Sequence, residues 1–227
     1  MTRNTDVPQL LMHEGGLVAV NKPPGWLVHA GQQGQPSPIV GDWIQRELRL
    51  NERPAPIHRL DLETSGVVLF ACDSATASEA GKAFMARDVA KTYIAVVHGR
   101  LRRKGIIRTT LRESGAAVEV VTRYRSLEWM GPYSLVSLKP EQGLKHQLRR
   151  QMHTFGHPIA GDDRHGVRHR NPAPPRLCLH ARVLQWSDHE PVAAPLWPDL
   201  QLFVDQLRQR FPAAAAVEPT PDAELAD

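Results

Sequence analysis

The sequence predicts an α+β fold, a mixed and largely antiparallel sheet with helices packed against it. Three observations carry this. Residues 67–71 are a continuous apolar run of strand length, and Leu177, Leu179, Ala181 and Val183 alternate as one half-buried strand face. Helical spacing intervenes at Val40, Ile44 and Leu48, and again at Leu148, Met152 and Phe155. Finally, the two kinds of segment are mixed without the regular strand–helix repeat of a doubly wound parallel sheet.

In chain order, residues 17–20 form a short apolar strand that runs into the turn Asn21-Lys22-Pro23-Pro24-Gly25. Ser37 is read as a helix N-cap with Pro38 at the first helical position, ahead of the Val40, Ile44 and Leu48 face. Strand 67–71 is followed by a helix over residues 74–87, with Ala77 and Phe84 on one side. Residues 92–97 and 133–138 are strands. Residues 145–155 are a helix that Gly156 and Pro158 stop, and the alternating strand at Leu177 follows. Residues 31–38 and 168–176 are loops, the second read as exposed and basic. One domain is expected over residues 1–212. Residues 213–227 contain Ala, Pro and four acids without periodicity, which is the composition of a disordered tail.

Composition narrows the function classes. The longest apolar run, residues 67–72, falls far short of the roughly 18 residues of a spanning helix, and no secretory h-region precedes residue 17. Cys72 and Cys178 are the only cysteines, too few for a disulfide framework or a thiolate zinc site. A cytoplasmic chain with no membrane association is expected. The formal charge is +4, but residues 1–212 carry +8 and residues 100–182 carry +11. Such a concentration points to a phosphate-rich partner, although charge by itself does not separate that from a solvated basic face.

Three segments carry chemistry. Residues 58–66 read H-R-L-D-L-E-T-S-G and enter a buried strand, so Asp61 is held rigidly and suits a nucleophile or general base. On spacing alone it equally suits a carboxylate capping turn amides, with Thr64 and Ser65 bonding the same turn. Residues 143–150 read G-L-K-H-Q-L-R-R. A helix there puts Lys145 and Arg149 on one side, facing a phosphate, a carboxylate or solvent. On strand 92–97, Tyr93 either stacks on a base or fills the core. His153 and His157 are four apart, but Thr154 stands where a metalloprotease has glutamate and Gly156 breaks the helix, so no metal is expected. No phosphate-binding loop or dinucleotide fingerprint is present, and no nucleotide cofactor is indicated.

Together these segments resemble the RluA-type RNA pseudouridine synthases. The signature H-R-L-D-x-x-T-S-G lies at residues 58–66, K-x-Y-x-A-x-V-x-G at 91–99 and G-x-x-H-Q-L-R at 143–149. Val18, Asn21, Lys22, Pro23 and Gly25 match the N-terminal motif. G-H-P-I-x-G-D at 156–162 and L-x-L-H-A at 177–181 complete a set in the family's order. The resemblance implies an α+β catalytic domain that isomerises uridine to pseudouridine in structured RNA by base flipping, without a cofactor.

Residue by residue, the resemblance makes Asp61 the catalytic aspartate, Tyr93 the tyrosine that stacks on the target uracil, and Arg149 the basic partner of the aspartate. Arg59 falls on the arginine that fills the space left by the flipped base. His58, Lys145, His146, Gln147 and Arg150 are the other expected RNA contacts. Leu144 departs from the pattern, because many relatives have a basic residue there. The motifs begin by residue 17, so recognition is expected from the catalytic domain itself, acting as a monomer with no required protein partner. Residues 143–150 and the turn G-D-D-R-H-G at 161–166 are similar to synthases acting on the T-arm stem of transfer RNA. The alternatives are a ribosomal RNA synthase, a non-catalytic RNA-binding protein on the same scaffold, and a nucleoside hydrolase using Asp61.

Overall fold

The computed structural model describes residues 6–29, 37–86, 88–167 and 172–212. It is an α+β fold on one ten-stranded sheet. The strands are β1 (Gln9–Glu14), β2 (Leu17–Lys22), β3 (Ala55–Pro56), β4 (Ser65–Ala71), β5 (Val89–His98), β6 (Lys104–Glu113), β7 (Ala116–Met130), β8 (Tyr133–Pro140), β9 (Leu179–Trp186) and β10 (Val192–Ala193). The helices are α1 (Val40–Glu47), α2 (Ser74–Met85), α3 (Gln147–Thr154) and α4 (Pro198–Arg210). The main path runs β1-β2-β4-β9-β5-β8-β7-β6, with β10 on β9 and β3 on β4. The one parallel pair among these is β4 with β9.

β4 is buried along its whole length because both faces of the sheet are covered there. Val68 and Phe70 pack with Val18, Val20 and the α1 residues Val40 and Ile44. Val67, Leu69 and Ala71 point the other way, with Leu17, Ala19, the α2 residue Ala80, and Trp186. A strand alternates its side chains between faces, so double coverage turns alternation into an unbroken apolar run. The larger core lies beyond, where Tyr133, Met130, Val136 and Leu138 pack with Met152 of α3 and Phe203, Val204 and Leu207 of α4.

The two parts of the sheet meet at a short seam. β4 and β9 pair only through Ser65 with His180 and Gly66 with Ala181. Gly66 has φ +117°, and a Cβ there would collide with the Ala181 backbone, so the strands come this close only over a glycine. The chain segment that precedes the seam is residues 58–64.

Several boundaries differ from expectation. α1 starts at Val40, with Ile39 as N-cap and no side-chain cap, so neither Ser37 nor Pro38 has the expected role. α2 is capped by Asp73, whose carboxylate accepts the Thr76 amide at 2.8 Å, and ends at Met85. α3 begins at Gln147, so Lys145 precedes the helix and shares no helical face with Arg149. His146 is its N-cap in the left-handed region, φ 53°. β1, β3, β6, β7, β10 and α4 had no counterpart in the sequence reading. β6 and β7 form a long hairpin whose turn, Ser114-Gly115, has positive φ at both positions, as a two-residue primed turn demands. Much of β6 is exposed, which weakens the apolar signal. In the expected basic loop, residues 168–171 lie outside the described residues. Arg176 is half-buried, its side chain in an ion pair with Asp199 at 2.6 Å, instead of lying exposed. The expected tail, residues 213–227, also lies outside the described residues.

Candidate active site

A cavity of about 240 Å³ opens beside the seam, and Arg59, Asp61, Thr64, Tyr93, His146 and Arg149 all line it. Three separated sequence segments thus converge on one space.

Asp61 sits in the loop between β3 and β4, where its carbonyl accepts the Thr64 amide at 3.1 Å. The loop is clamped at several points. Lys22 Nζ donates to the carbonyls of Leu62 and Trp26 at 2.9 Å and of Pro23 at 3.0 Å. The Gly25 amide also donates to Leu62 O, at 2.9 Å. The Lys22 ammonium is fully buried, and burial pushes its pKa down to about 7 against the opposing pull of Glu63. The N-terminal motif therefore holds the Asp61 loop from about 40 residues away in sequence. Downstream, Ser65 Oγ and His180 Nδ1 are 2.9 Å apart, and His180 Nε2 lies 3.2 Å from Ala194 O. Because a carbonyl only accepts, Nε2 carries the proton and Nδ1 accepts from Ser65. Burial holds this imidazole neutral, with its pKa lowered to about 4. The expected turn bonds of Thr64 and Ser65 side chains are replaced: Ser65 bonds His180, and the buried Thr64 hydroxyl has no hydrogen-bond partner among the described residues.

His58 sits beneath the loop. Its Nε2 accepts the Leu69 amide at 3.2 Å, and its ring stacks on Phe84 with centroids 5.2 Å apart. Burial, aided by the charge of Lys91, lowers its pKa to about 3. Arg59 is exposed at the rim. Tyr93 lies on β5 opposite Ala181 and Leu138, where burial and then the Asp61 charge push its hydroxyl well above the usual range. It is a neutral phenol.

Arg149 projects from α3 and meets two carboxylates. Its Nε and Nη2 donate to Asp162 Oδ2 and Oδ1 at 2.8 and 2.7 Å, a bidentate fork. Its Nη1 lies 3.7 Å from Asp61 Oδ2. The expected Arg149–Asp61 pairing is thus the looser of two contacts, and sequence reasoning missed Asp162 as a partner. The signal was present in the G-H-P-I-x-G-D motif, which had no role attached. His146 Nε2 is 3.7 Å from Asp61 Oδ1, and burial lowers its pKa while Asp61 opposes the shift.

The remaining expected RNA contacts divide. Gln147 is buried, accepting the Leu144 amide and donating to Gln151, both at 3.2 Å. Arg150 donates to Arg112 O at 3.0 Å and lies 3.6 Å from Glu113. Lys145 lines a neighbouring groove that shares Lys91, Pro140 and Gly143 with the main cavity. No group of three His, Cys, Asp or Glu among the described residues is placed to hold a metal ion. No helix among the described residues is long and apolar enough to cross a membrane.

Comparison with known proteins points the same way. A family model described as RNA pseudouridylate synthase matches residues 16–154. A tRNA pseudouridine synthase C from Haemophilus ducreyi is 35% identical, over 78% of this chain and 84% of the relative. The protein of that name from Haemophilus influenzae is 36% identical, over 78% and 86%. Among solved structures, human RNA pseudouridylate synthase domain containing 4 superposes with a TM-score of 0.71 at 26% identity, over 88% of this chain and 92% of that one. Human RNA pseudouridylate synthase domain containing 1, at 24% identity and a TM-score of 0.73, shares the fold over 97% and 100%.

Proposed function

The chain belongs to the RNA pseudouridylate synthase family, and we propose that it isomerises a uridine of transfer RNA with Asp61 as the group that acts on the ribose. The observation that supports the reading best is the convergence of Asp61, Tyr93 and Arg149 on one cavity at the seam. The reaction breaks the C1′–N1 bond, turns the uracil and joins C1′ to C5. C5 loses a proton and N1 gains one, so no oxidant, reductant or donor is consumed. A stacked uridine is out of reach of a recessed carboxylate, so the nucleotide is flipped into the cavity. There the neutral Tyr93 ring offers a stacking face. Arg149 sets a positive charge 3.7 Å from the Asp61 carboxylate, which is the group proposed to attack C1′ or remove the C2′ proton.

The transfer RNA assignment is supported by the names of the relatives and by the +11 of residues 100–182, which suits a reader of stem shape and phosphate. Arg59, Lys145, His146 and Arg150 are the proposed RNA contacts, while His58 and Gln147 act by shaping the loops that carry them. The catalytic domain is residues 1–212, acting in the cytoplasm as a monomer without a protein partner.

Asp61→Asn tests the chemistry, because the amide is isosteric but neither nucleophile nor base. Tritium release from 5-tritiated uridine in RNA is expected to vanish while RNA affinity and folding persist. Turnover near wild type removes Asp61 from the mechanism. Unmodified transfer RNA transcripts are expected to be modified in preference to ribosomal RNA fragments. Product confined to ribosomal fragments overturns the substrate and leaves the chemistry standing.

A further inference from the structure

We infer that Asp162 is a positioning residue of this centre, holding the Arg149 guanidinium side-on and limiting the positive charge that Asp61 receives. The inference rests on the reading of Asp61 and Arg149 given above. A guanidinium has five donors in a rigid fork. Two of them, on Nε and Nη2, are committed to Asp162 at 2.8 and 2.7 Å, and Nη1 approaches Asp61 no closer than 3.7 Å, beyond hydrogen-bond length. The two carboxylates differ in setting as well. The Asp162 side chain is 0% exposed, and that of Asp61 is 24% exposed and faces the cavity.

Asp162 is itself fixed by backbone. Its Oδ1 accepts the amides of Arg164 at 3.0 Å and His165 at 2.9 Å. Gly161, with φ +75°, makes the preceding turn, where a Cβ would collide with the Arg176 carbonyl. Burial pushes the Asp162 carboxyl up, but the Arg149 fork and the two amides outweigh it and hold the group below the usual carboxylate range. Asp162 is thus a permanent anion bonded to the same cation that faces Asp61. It takes the short, directional bonds and leaves Asp61 a counter-charge at a distance. The Asp61 lone pairs then stay uncommitted until a nucleotide enters. A closer fork would neutralise the carboxylate and weaken it as nucleophile or base.

The groups around Asp61 are Arg149 on α3, His146 at its N-cap, Tyr93 on β5, Lys22 on β2 and Arg59 on its own loop. Asp162→Asn replaces none of these residues and keeps one oxygen for Arg149 Nη2 and the Arg164 and His165 amides, but it sets an amide nitrogen against Arg149 Nε and so breaks one arm of the fork. It frees Arg149 charge for Asp61. The acid limb of the kcat profile is expected to move to lower pH by about one unit or more, the effect of removing one charge within roughly 10 Å at an effective dielectric constant near 20. Turnover at neutral pH is expected to fall about tenfold, the cost of a one-unit loss of basicity under near-full Brønsted dependence. KM for RNA is expected to hold, because Asp162 is enclosed. Asp162→Glu keeps the charge and is expected to keep the wild-type acid limb. A limb unmoved in the Asn variant, or moved equally in the Glu variant, overturns the inference.

A second measurement does not depend on the folding of either variant. In Asp61→Asn, the Arg149 Nε–H resonance is expected to keep its wild-type shift and slow solvent exchange, because Asp162 holds it. Loss of that protection overturns the inference. An active Asp61→Asn enzyme sinks the reading beneath it. An inactive one with an unmoved acid limb in Asp162→Asn sinks this inference alone.

Discussion

The two walls of the cleft come from different halves of the chain, and they are held in different ways. The wall that carries Asp61 is fixed through its backbone. Lys22 and the Gly25 amide grip the Leu62 carbonyl, and the Leu69 amide is tied to His58. The wall that carries Arg149 is fixed through a side-chain charge, the buried Asp162 carboxylate. Backbone anchoring leaves the Asp61 side chain free of structural duty, so Asp61 can be replaced without moving its loop. Charge anchoring makes the other wall interdependent, so Arg149 cannot be removed without stranding Asp162.

The largest break in that comparison is Arg149→Met. It leaves a buried carboxylate without its cation, and stripping one partner from such a pair costs about 3–5 kcal/mol. Turnover is expected to be nearly lost, and any residual activity to show an acid limb displaced to higher pH, opposite in sign to Asp162→Asn. Urea denaturation and the tritium-release profile measure both. A stable variant with a wild-type profile shows that the α3 wall does not depend on this charge.

Lys22→Met tests the backbone-anchored wall. The apolar chain fills the space but withdraws the donor from three carbonyls. Leaving buried acceptors unsatisfied costs about 3 kcal/mol. The kcat is expected to fall more than KM rises, because the loop loosens while the RNA-facing surface stays. Equal losses in both parameters place Lys22 at the substrate instead.

The seam joins the walls, and it gives the smallest effect. His180 is neutral in the folded protein, with its pKa lowered to about 4, whereas the unfolded chain titrates near 6.5. Between those values the unfolded state binds more protons, so this stability is present at neutral pH and is lost as pH falls from 6.5 toward 4. At pH 5 the loss from this one group is about 2 kcal/mol. His180→Asn keeps a partner for Ser65 and is expected to be less stable at neutral pH but to lose less on acidification. Parallel curves of unfolding free energy against pH for the two proteins remove His180 from the acid response.

The legibility of the molecule follows the range of its interactions. β4 and the start of β9 were readable because burial imposes a local pattern, an apolar run or an alternation. The β6–β7 hairpin was not, since much of β6 faces solvent and its pairing is set by the partner strand. α4 was passed over although Pro198 at its N-terminus is a local start signal. Its apolar face acquires meaning only against Met130 and Tyr133. The boundary error at Lys145 arises because α3 starts after a left-handed His146 without a side-chain cap, a start that residue spacing does not signal.

What the sequence determined by itself is the family and the order of its motifs along the chain. A carboxylate ahead of a buried strand, a tyrosine on a strand and a basic helix are local facts of residue type and spacing. Six ordered motifs then identify the family. What only the tertiary structure decided is who holds whom. Asp162 rather than Asp61 takes the Arg149 fork, Lys22 clamps a loop about 40 residues downstream, and Ser65 meets His180 over a separation of 115 residues. Such pairings depend on how two halves of a sheet close over a two-residue seam, and chain-distant contacts leave no periodicity in the sequence from which to read them.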